Sequence, residues 1–426
     1  MRRFLRTTTG FVAVFCSAGL CSAAGLLIHP QKDTIQVLAE GPVRGSNFAL
    51  VFDRSRVGIS GWYNLDDDPD MTRNLAPTGS TSSDTLFHTL SEVLLDGKKV
   101  SIGPGPASNM SLVESQPERV VIRFSGPLVK LDSLRPSDQS PKVIPMNTGR
   151  VIVGDQLPDY ELLYTVYPSG AVYVHLAWDI HGPAITLAAH HAVLATAPSQ
   201  EFAALNDLDD QKRAFTWPAT FLLHHGAGPT IRSDVLLSVH FDRFPTDWLG
   251  QLSSSSARQT GWFRSAFNLL PSTQELPQGH FAWDFLLNLE PGSAGQRAPV
   301  FDISEDYRHP AVLKVLDERW GTANLLDPGD ANSDGFSERD GAYNLVAGPR
   351  GVRFSISAET YPRFYPVFRV SNWQSAVPDA VLMDENVLSR GKDFNAFVKD
   401  NVLVFQYLGV IRDRQARFEF PRSRRP

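Results

Sequence analysis

The chain has 426 residues, with 40 Lys or Arg against 46 Asp or Glu, so its formal net charge is −6. Binding of nucleic acid needs a basic face, and this charge balance argues against such a partner. Charged residues make up only 20% of the chain, aromatic residues reach 10%, and Gly and Pro are frequent. This composition is typical of a loop-rich globular β protein rather than of a disordered or coiled chain.

Residues 1–24 have the pattern of an export signal. Arg2, Arg3 and Arg6 precede the apolar stretch 10–20, which is too short to span a bilayer, and small residues follow it. The alternative is a membrane anchor that stays attached. We expect cleavage after this segment, and the sequence indicates no transmembrane segment beyond it.

Both cysteines, Cys16 and Cys21, lie within that segment. The exported chain is therefore expected to have no disulfide, no cysteine nucleophile and no thiolate-bound metal. The remaining chain of about 400 residues is long enough for two or three domains. Export without disulfides at this size favours a bacterial protein that is located in the periplasm or secreted.

Alternating apolar residues predict antiparallel strands along most of the chain. The stretch 48–65 reads as a strand, an Asp-Arg-Ser-Arg turn and a second strand, and 119–126 reads as a short strand closed by a glycine. In 160–182, Pro-Ser-Gly separates two further strands. The second of these carries Val172, Val174, Leu176 and Trp178 on one face, and Tyr173, His175 and Asp179 on the other.

Helical spacing is rare in this sequence. The best candidate is 309–321, where Val312, Val315, Leu316 and Trp320 recur at helical intervals. The serine-rich stretch from residue 253 and the stretch 290–299 read as loops. A boundary in the second of these divides the chain into a signal peptide (1–24), a large domain (25–298) and a C-terminal domain (299–426).

Two stretches carry a resemblance to a known superfamily. The run 48–76, FALVFDRSRVGISGWYNLDDDPDMTRNLA, and the run 164–178, YTVYPSGAVYVHLAW, resemble the galactose-mutarotase-like β-sandwich, over residues 30–295. Such sandwiches occur in polysaccharide lyases, hydrolases and sugar epimerases. The resemblance implies a large antiparallel β-sandwich with a concave face for a glycan. It includes no catalytic motif, so no residue role is carried over from it.

Candidate catalytic residues come from the histidines and aromatic residues of the strands. A lyase that acts on a uronic acid needs a neutraliser for the carboxylate, a base at C5 and an acid at the leaving oxygen. Tyr173 with His175 or His190 fits the base and the acid, and Arg123 fits the neutraliser. The alternative is that these are half-buried sheet residues. A hydrolase with paired carboxylates, or zinc held by histidine and aspartate, stays open.

The stretch 327–345, DPGDANSDGFSERDGAYNL, has the pattern of a calcium loop. Calcium prefers six to eight oxygen ligands, and a D-x-N-x-D-G pattern supplies them at alternate positions around a sharp glycine turn. The candidate ligands are Asp330, Asn332, Asp334, the carbonyl of Phe336, Glu338 and Asp340. Gly341 stands where helical calcium hands have glutamate, and the strand-like sequence that follows excludes a helix-loop-helix hand.

The calcium loop has a simpler alternative, a solvated acidic turn, since the same residues are common in turns. If calcium binds, we expect it to stabilise the chain rather than to act on a substrate. The loop lies in the C-terminal third, and we expect it to be away from the glycan-binding sandwich.

The C-terminal part contains aromatic-rich strands, in which Tyr361, Phe364, Tyr365 and Trp373 either stack on sugars or form a core. The predicted fold is mainly β, with a large antiparallel β-sandwich followed by a smaller C-terminal β domain that carries the calcium loop. The predicted partner is a polysaccharide or another glycan. The preferred function is a carbohydrate-active enzyme, a polysaccharide lyase or glycoside hydrolase, and the rival is a non-catalytic carbohydrate-binding or cell-surface assembly protein.

Overall fold

The structure is a computed structural model of the chain. It describes the residues 25–40, 47–76, 85–105, 108–131, 157–196, 202–206, 214–215, 219–225, 235–241, 252–259, 262–268, 272–291, 298–330 and 332–422. The predicted signal segment, 1–24, lies outside these ranges. In the described ranges, no helix combines the length and the apolar character needed to cross a bilayer.

The first part of the chain is built from strands. In chain order they are β1 (Gly25–Pro30), β2 (Thr34–Glu40), β3 (Phe48–Asp53), β4 (Gly58–Asn64), β5 (Phe87–Leu95), β6 (Lys98–Pro104), β7 (Asn109–Gln116), β8 (Arg119–Lys130), β9 (Asp159–Val166), β10 (Ala171–Ile180), β11 (Ile185–Thr196), β12 (Phe202–Asn206), β13 (Ala214–Phe215), β14 (Ala219–His225), β15 (Val235–Phe241), β16 (Leu252–Gln259), β17 (Trp262–Asn268), β18 (Gln274–Leu276) and β19 (Gly279–Pro291). Their described pairings are antiparallel.

These strands form a four-stranded sheet, β1–β4, and a 15-stranded sheet that folds back on itself. The long strand β8 joins the two halves of the large sheet, because it pairs with β9 at its start and with β6 at its end. The sequence-based expectation that this strand ends at Gly126 is therefore wrong. The two halves face each other, as Phe87 of β5 and Phe285 of β19 illustrate with ring centroids 4.9 Å apart.

A first core fills the space between the layers. It combines apolar side chains from β1–β4, β5, β8–β11 and β19, including the buried Trp62, Trp178 and Trp283. Burying large apolar side chains between two sheets is the main stabilisation of such a sandwich, at about 25 cal/mol per Å² removed from water. The observed architecture confirms the predicted large antiparallel β-sandwich.

The hairpin β9–β10 alternates as the sequence predicted. Leu162, Tyr164 and Val166 of β9, and Val172, Val174, Leu176 and Trp178 of β10, face the first core. Residues at the intervening positions point away from it, because successive side chains of a strand alternate between faces. We call this side of β8, β9, β10 and β19, opposite to the first core, the outer face.

Two local predictions between the strands are wrong. The serine-rich stretch is not a loop but strand β16, which pairs with β17. The helix α1 spans Ala298–Arg308, ahead of the predicted 309–321, and a short 3-10 helix at Glu318–Trp320 follows. Pro310 explains why α1 ends at Arg308, because proline disfavours the helical conformation of the preceding residue and lacks the N–H that a helix interior needs.

The C-terminal part is also built from strands. They are β20 (Lys314–Val315), β21 (Gly321–Ala323), β22 (Phe336–Ser337), β23 (Ala342–Ala347), β24 (Gly351–Ser357), β25 (Arg363–Phe364), β26 (Val367–Ser371), β27 (Val381–Met383), β28 (Asn386–Leu388), β29 (Phe394–Lys399), β30 (Val402–Tyr407), β31 (Val410–Ile411) and β32 (Gln415–Pro421). They form a five-stranded sheet, a six-stranded sheet and a two-stranded pair.

A second core lies between these sheets and is rich in phenylalanine. Phe354, Phe368, Phe405, Phe418 and Phe420 contact one another with centroid separations between 4.5 and 6.3 Å. The smaller C-terminal β part is thus as the sequence predicted, while the boundary after residue 298 stays a prediction. Trp373 is wholly buried, so it belongs to a core rather than to a sugar-binding surface.

The C-terminal part covers one end of the outer face. Leu286 of β19 joins the second core, and Ala171 and Tyr173 of β10 pack against it. The other end of the outer face, toward Asp179 and His280, stays outside this contact. The fold therefore leaves a half-covered sheet surface, with the C-terminal part forming a wall at one side.

Candidate functional site

One row across the outer face contains two of the predicted catalytic residues. Strand register sets Arg123 opposite Leu163, Leu163 opposite His175, and His175 opposite Asp284. Side chains at paired positions project from the same face of a sheet. Neighbouring strands lie about 4.8 Å apart, so the backbones of Arg123 and His175 are separated by about 10 Å. We call these four residues the outer-face row.

His175 and Asp284 form a hydrogen-bonded pair within this row. The Nδ1 atom of His175 lies 2.7 Å from Oδ1 of Asp284, and both side chains are largely buried. A carboxylate at Nδ1 favours the tautomer in which that nitrogen carries the proton, and it fixes the orientation of the ring. Nε2 is then the nitrogen that can exchange a proton with a ligand, as in other carboxylate-oriented histidine bases.

Arg123 lies at the exposed end of the row. Its Nη1 atom is 3.7 Å from Oε2 of Glu161, and its Nε donates a long hydrogen bond of 3.4 Å to Oγ of Ser111. About half of the side chain remains exposed. An exposed pair of this kind is worth little, so the guanidinium is free to exchange Glu161 for an anionic ligand at small cost.

Further polar pairs extend the outer face away from the C-terminal part. Asp159, Asp179 and His280 occupy paired positions of β9, β10 and β19. Nδ1 of His280 lies 2.8 Å from Oδ1 of Asp179, and Nε2 of His181 lies 3.4 Å from Oδ2 of Asp159. The uncovered end of this face therefore has the polar surface that a hydroxyl-rich ligand requires.

Tyr173 lies on the outer face but under the C-terminal part. Its ring contacts those of Tyr167 and Tyr307 at centroid distances of 5.9 and 6.0 Å. A side chain on Gly341, which has φ +61°, would collide with the Tyr173 ring. Burial, together with the charge of Asp306, raises the pKa of the Tyr173 hydroxyl well above its ordinary value of 10.0. These surroundings disfavour the phenolate that the predicted base role requires.

His190 does not converge with the other candidates. It is fully buried on β11, where its ring lies 5.3 Å from Trp178 and 4.6 Å from Trp283, on the first-core side of the sheet. Its Nδ1 contacts Oγ of Ser91 at 2.8 Å. Burial lowers the pKa of His190 to about 3. The structure thus brings Arg123 and His175 into one row and separates His190 from them by the thickness of the sheet.

The calcium-loop residues converge around Asp330, Asp334 and Glu338. One carboxylate oxygen from each lies within 4.8 Å of the others. The loop is tightly wound, because Oδ1 of Asp330 accepts from the N–H of Asn332 and Asp334, and Oδ2 accepts from Gly335 at 2.7 Å. Asn332 Nδ2 donates to Glu338 at 3.1 Å. Phe336 packs its ring into the second core, so only its carbonyl is a candidate ligand.

Asp340 does not join this cluster. Its carboxylate lies 2.5 Å from Nη2 of Arg119, 2.6 Å from Nη1 of Arg369 and 3.2 Å from Nη2 of Arg339. Burial opposes its charge, but these three guanidinium groups hold the pKa of Asp340 well below its usual range. The prediction that Asp340 closes the calcium site is corrected, since its oxygens are occupied by arginine.

The turn after the calcium loop also docks on the large sandwich. The hydroxyl of Tyr167 donates to the carbonyl of Asp340 at 2.7 Å, and Arg119 of β8 reaches the same residue. The expectation that the loop lies away from the sandwich is therefore wrong. Because this turn contacts the large sandwich, a change in the conformation of the loop would also change the packing of the C-terminal part on the sandwich.

Sequence reasoning missed Asp284 and Glu161 as partners of the candidate residues. The sequence contains a weak signal for Asp284, which is the lone charge in the apolar run from Phe281 to Leu289. An acidic residue in such a strand needs a partner, but the sequence does not tell which strand supplies it. His224 and His225 lie on β14, and their side chains are outside what the structure describes.

The sequence matches no protein-family model and no curated protein. Similar solved structures include a galactose 1-epimerase from Lactobacillus acidophilus, with 8% identity, a TM-score of 0.34, and coverage of 64% of this chain and 100% of that one. A heparan sulfate lyase from Pedobacter heparinus has 13% identity, a TM-score of 0.29, and coverage of 66% and 38%. A polysaccharide lyase has 10% identity, a TM-score of 0.26, and coverage of 95% and 47%.

These similar structures include a sugar epimerase and polysaccharide lyases, which are two of the three groups that the sequence resemblance named. This chain spans less than half the length of the two lyases. With TM-scores and identities this low, the similarities carry no argument about the substrate or activity of this chain.

Proposed function

We propose that the protein binds an acidic glycan on its outer face and processes it by acid-base chemistry, as a polysaccharide lyase does. The observation that carries this proposal is the His175–Asp284 pair in one row with Arg123. The separation of about 10 Å between the backbones of Arg123 and His175 leaves space for a sugar ring between a cation and a base.

The proposed reaction is a β-elimination. Arg123 neutralises the uronate carboxylate, which makes the proton at C5 more acidic. His175 Nε2 removes that proton, the C4–O bond breaks, a C4–C5 double bond forms, and the imidazolium returns the proton to the leaving oxygen. Asp284 keeps the ring oriented through its hydrogen bond with Nδ1. Tyr173 has no part in this scheme, because desolvation by its surroundings and the charge of Asp306 raise the pKa of its hydroxyl well above 10.0.

We further propose that the loop of Asp330, Asp334 and Glu338 holds a structural calcium ion. The support is the convergence of their oxygens within 4.8 Å, in a chain order that matches the first, fifth and ninth positions of a calcium loop. Asn332 and the carbonyl of Phe336 complete the third and seventh positions. Ion binding stabilises the loop where external calcium is plentiful, which suits the proposed extracytoplasmic location.

A turnover assay tests the proposed function. The protein is incubated with a panel of uronic-acid polymers, and the ultraviolet absorbance of the conjugated double bond is followed. We expect turnover of at least one polymer, and a loss of about a hundredfold or more for His175→Gln, since general acid-base groups contribute at that level. The matched control is His29→Gln, at an exposed position of β1.

Three results are possible. Absorbance growth that His175→Gln removes and His29→Gln leaves unchanged supports the proposal. Binding of the polymers without absorbance growth replaces it with a non-catalytic carbohydrate-binding function. A panel in which no polymer is bound and none is turned over contradicts a glycan partner altogether.

A further inference from the structure

A pocket lies between the covered end of the outer face and the C-terminal part. The pocket is partly open to solvent. Aromatic rings form much of its wall, from Tyr167, Tyr173, Tyr307, Phe336, Tyr343, Phe364 and Tyr365. Rings of this kind stack on the C–H faces of sugars, and Phe364 and Tyr365 belong to the aromatic run that the sequence singled out.

A buried amide in the pocket wall has a hydrogen-bonding atom without a partner. Gln406 is 1% exposed, and its Nε2 donates to Oγ of Ser169 at 3.3 Å. Its Oε1 has no hydrogen-bond partner among the described residues. A buried polar atom without a partner is unfavourable, so a ligand hydroxyl that bonds to it would be stabilised. In either orientation of the amide, one of its two polar atoms has no partner among the described residues.

The backbone at the pocket wall is strained. Tyr365 has φ +48°, a conformation that bulky residues rarely adopt, and its N–H donates to the carbonyl of Gly409 at 3.1 Å. Strained residues persist where the surrounding structure fixes them, and they cluster at ligand sites. Tyr365 is part of the pocket lining.

The pocket is suited to a neutral ligand. Its described lining contains no Lys, Arg or His. Its carboxylate, Asp306, is already neutralised, because Oδ1 lies 2.9 Å from Nη1 of Arg363 and Oδ2 accepts from the N–H of Phe364 at 2.8 Å. Burial also raises the pKa of Asp306 despite the charge of Arg363. A uronate or sulfate group would find no cation among these residues.

The pocket lies next to the outer-face row, because both include residues of strands β10 and β19. Tyr173 and Leu286, both in its wall, lie two residues from His175 and Asp284 on the same strands and the same face. Two residues of strand span about 7 Å, somewhat more than the width of one sugar ring. We propose that the pocket binds the neutral terminal residue of a glycan, whose next residues lie on the outer-face row. This inference rests on the proposed function and specifies recognition of a chain end.

Saturation-transfer NMR with simple sugars tests the pocket. The probes are the methyl glycosides of glucose, galactose, mannose and xylose, with glucuronate as the charged comparison. We expect at least one neutral glycoside to bind and glucuronate not to bind. Ala171→Leu, which fills the pocket, should abolish the signal, and Gln406→Leu should weaken binding about tenfold. Gln415→Leu, at an exposed position of β32, is the control for the Gln-to-Leu change.

Binding of the acidic polymer panel is measured in parallel, so that failures of the two proposals are distinguishable. Polymer binding without any neutral monosaccharide signal overturns the pocket proposal and leaves the outer-face proposal standing. A monosaccharide signal that survives both Ala171→Leu and Gln406→Leu places the sugar elsewhere and also overturns it. Equal binding of glucuronate contradicts the neutral ligand class.

Discussion

Two histidines of this chain have opposite environments, and the difference determines which one can do chemistry. His175 has a carboxylate partner and lies on the outer face. His190 contacts two tryptophan rings on the first-core side of the sheet. A buried imidazole without a charge partner stays neutral, because the charged form loses its hydration. The sequence shows both as histidines in apolar strands, and it could not distinguish them.

The buried His190 predicts a dependence of stability on pH. Its folded-state pKa, about 3, is below the unfolded value of 6.5, so the unfolded chain binds more protons between these values. Stability is therefore full above pH 6.5 and falls as the pH decreases toward 3, by up to about 1.4 kcal/mol per pH unit. His190→Gln keeps a side chain for Ser91 and does not titrate. Its unfolding free energy, from denaturant titrations, should fall less steeply with acidification.

His29→Gln is the control for this series, because it makes the same substitution at an exposed position of β1. Identical slopes for the wild-type protein and His190→Gln between pH 6.5 and 4 would show that His190 is not buried as neutral imidazole.

Asp340 predicts a second effect at the residue scale. Replacement by Asn leaves Arg119, Arg369 and Arg339 around a neutral group, and breaking a buried ion pair in this way costs about 3–5 kcal/mol. The pKa of Asp340 is depressed, so this stabilisation is present above the unfolded pKa near 4 and is lost as the pH falls below it. The difference between Asp340→Asn and wild type should be large at pH 7 and shrink in acid.

The comparison is Asp302→Asn, which removes an exposed pair with Arg412. Such pairs contribute less than about 1 kcal/mol. If Asp340→Asn is no more destabilising than Asp302→Asn at pH 7, the buried network is not a significant contributor to stability.

At the scale of elements, local patterns were predictable and distant pairings were not. The β9–β10 hairpin follows from alternation and a Pro-Ser-Gly turn, because its partners are adjacent in sequence. Asp284 is 109 residues from His175, and only the folded sheet sets them opposite each other. The serine-rich strand β16 was missed because its pairing with β17, rather than its own composition, makes it a strand.

The calcium loop gives a prediction at this scale. Calcium at about a hundred times its Kd should add about 3 kcal/mol to the unfolding free energy, and a chelator should remove it. Asp330→Asn should abolish most of this shift, because Asp330 contributes an oxygen to the cluster and also closes the loop. Calorimetry of the full chain with and without chelator measures the effect.

Asp400→Asn supplies the matched control, since Asp400 is an exposed turn residue outside the loop. It should keep the full calcium response. A melting temperature that chelator leaves unchanged in the wild-type protein would make the loop an ordinary acidic turn.

At the scale of the whole molecule, the C-terminal part shapes the proposed site. It covers Tyr173 and Leu286, leaves His175 beside the contact, and is fixed by the Asp340 network and an apolar interface. The two-part architecture was predictable from the position of strands and turns. The docking was not, because it depends on a glycine that lies against a tyrosine about 170 residues earlier in the chain.

The most direct test is a crystal structure of the protein with an acidic oligosaccharide taken from whichever polymer it binds. We expect sugar density on the outer face, with a uronate carboxylate within hydrogen-bond distance of Arg123 and a ring carbon next to His175 Nε2. Sugar bound only to β1–β4 or to the far side of the C-terminal part would contradict the account.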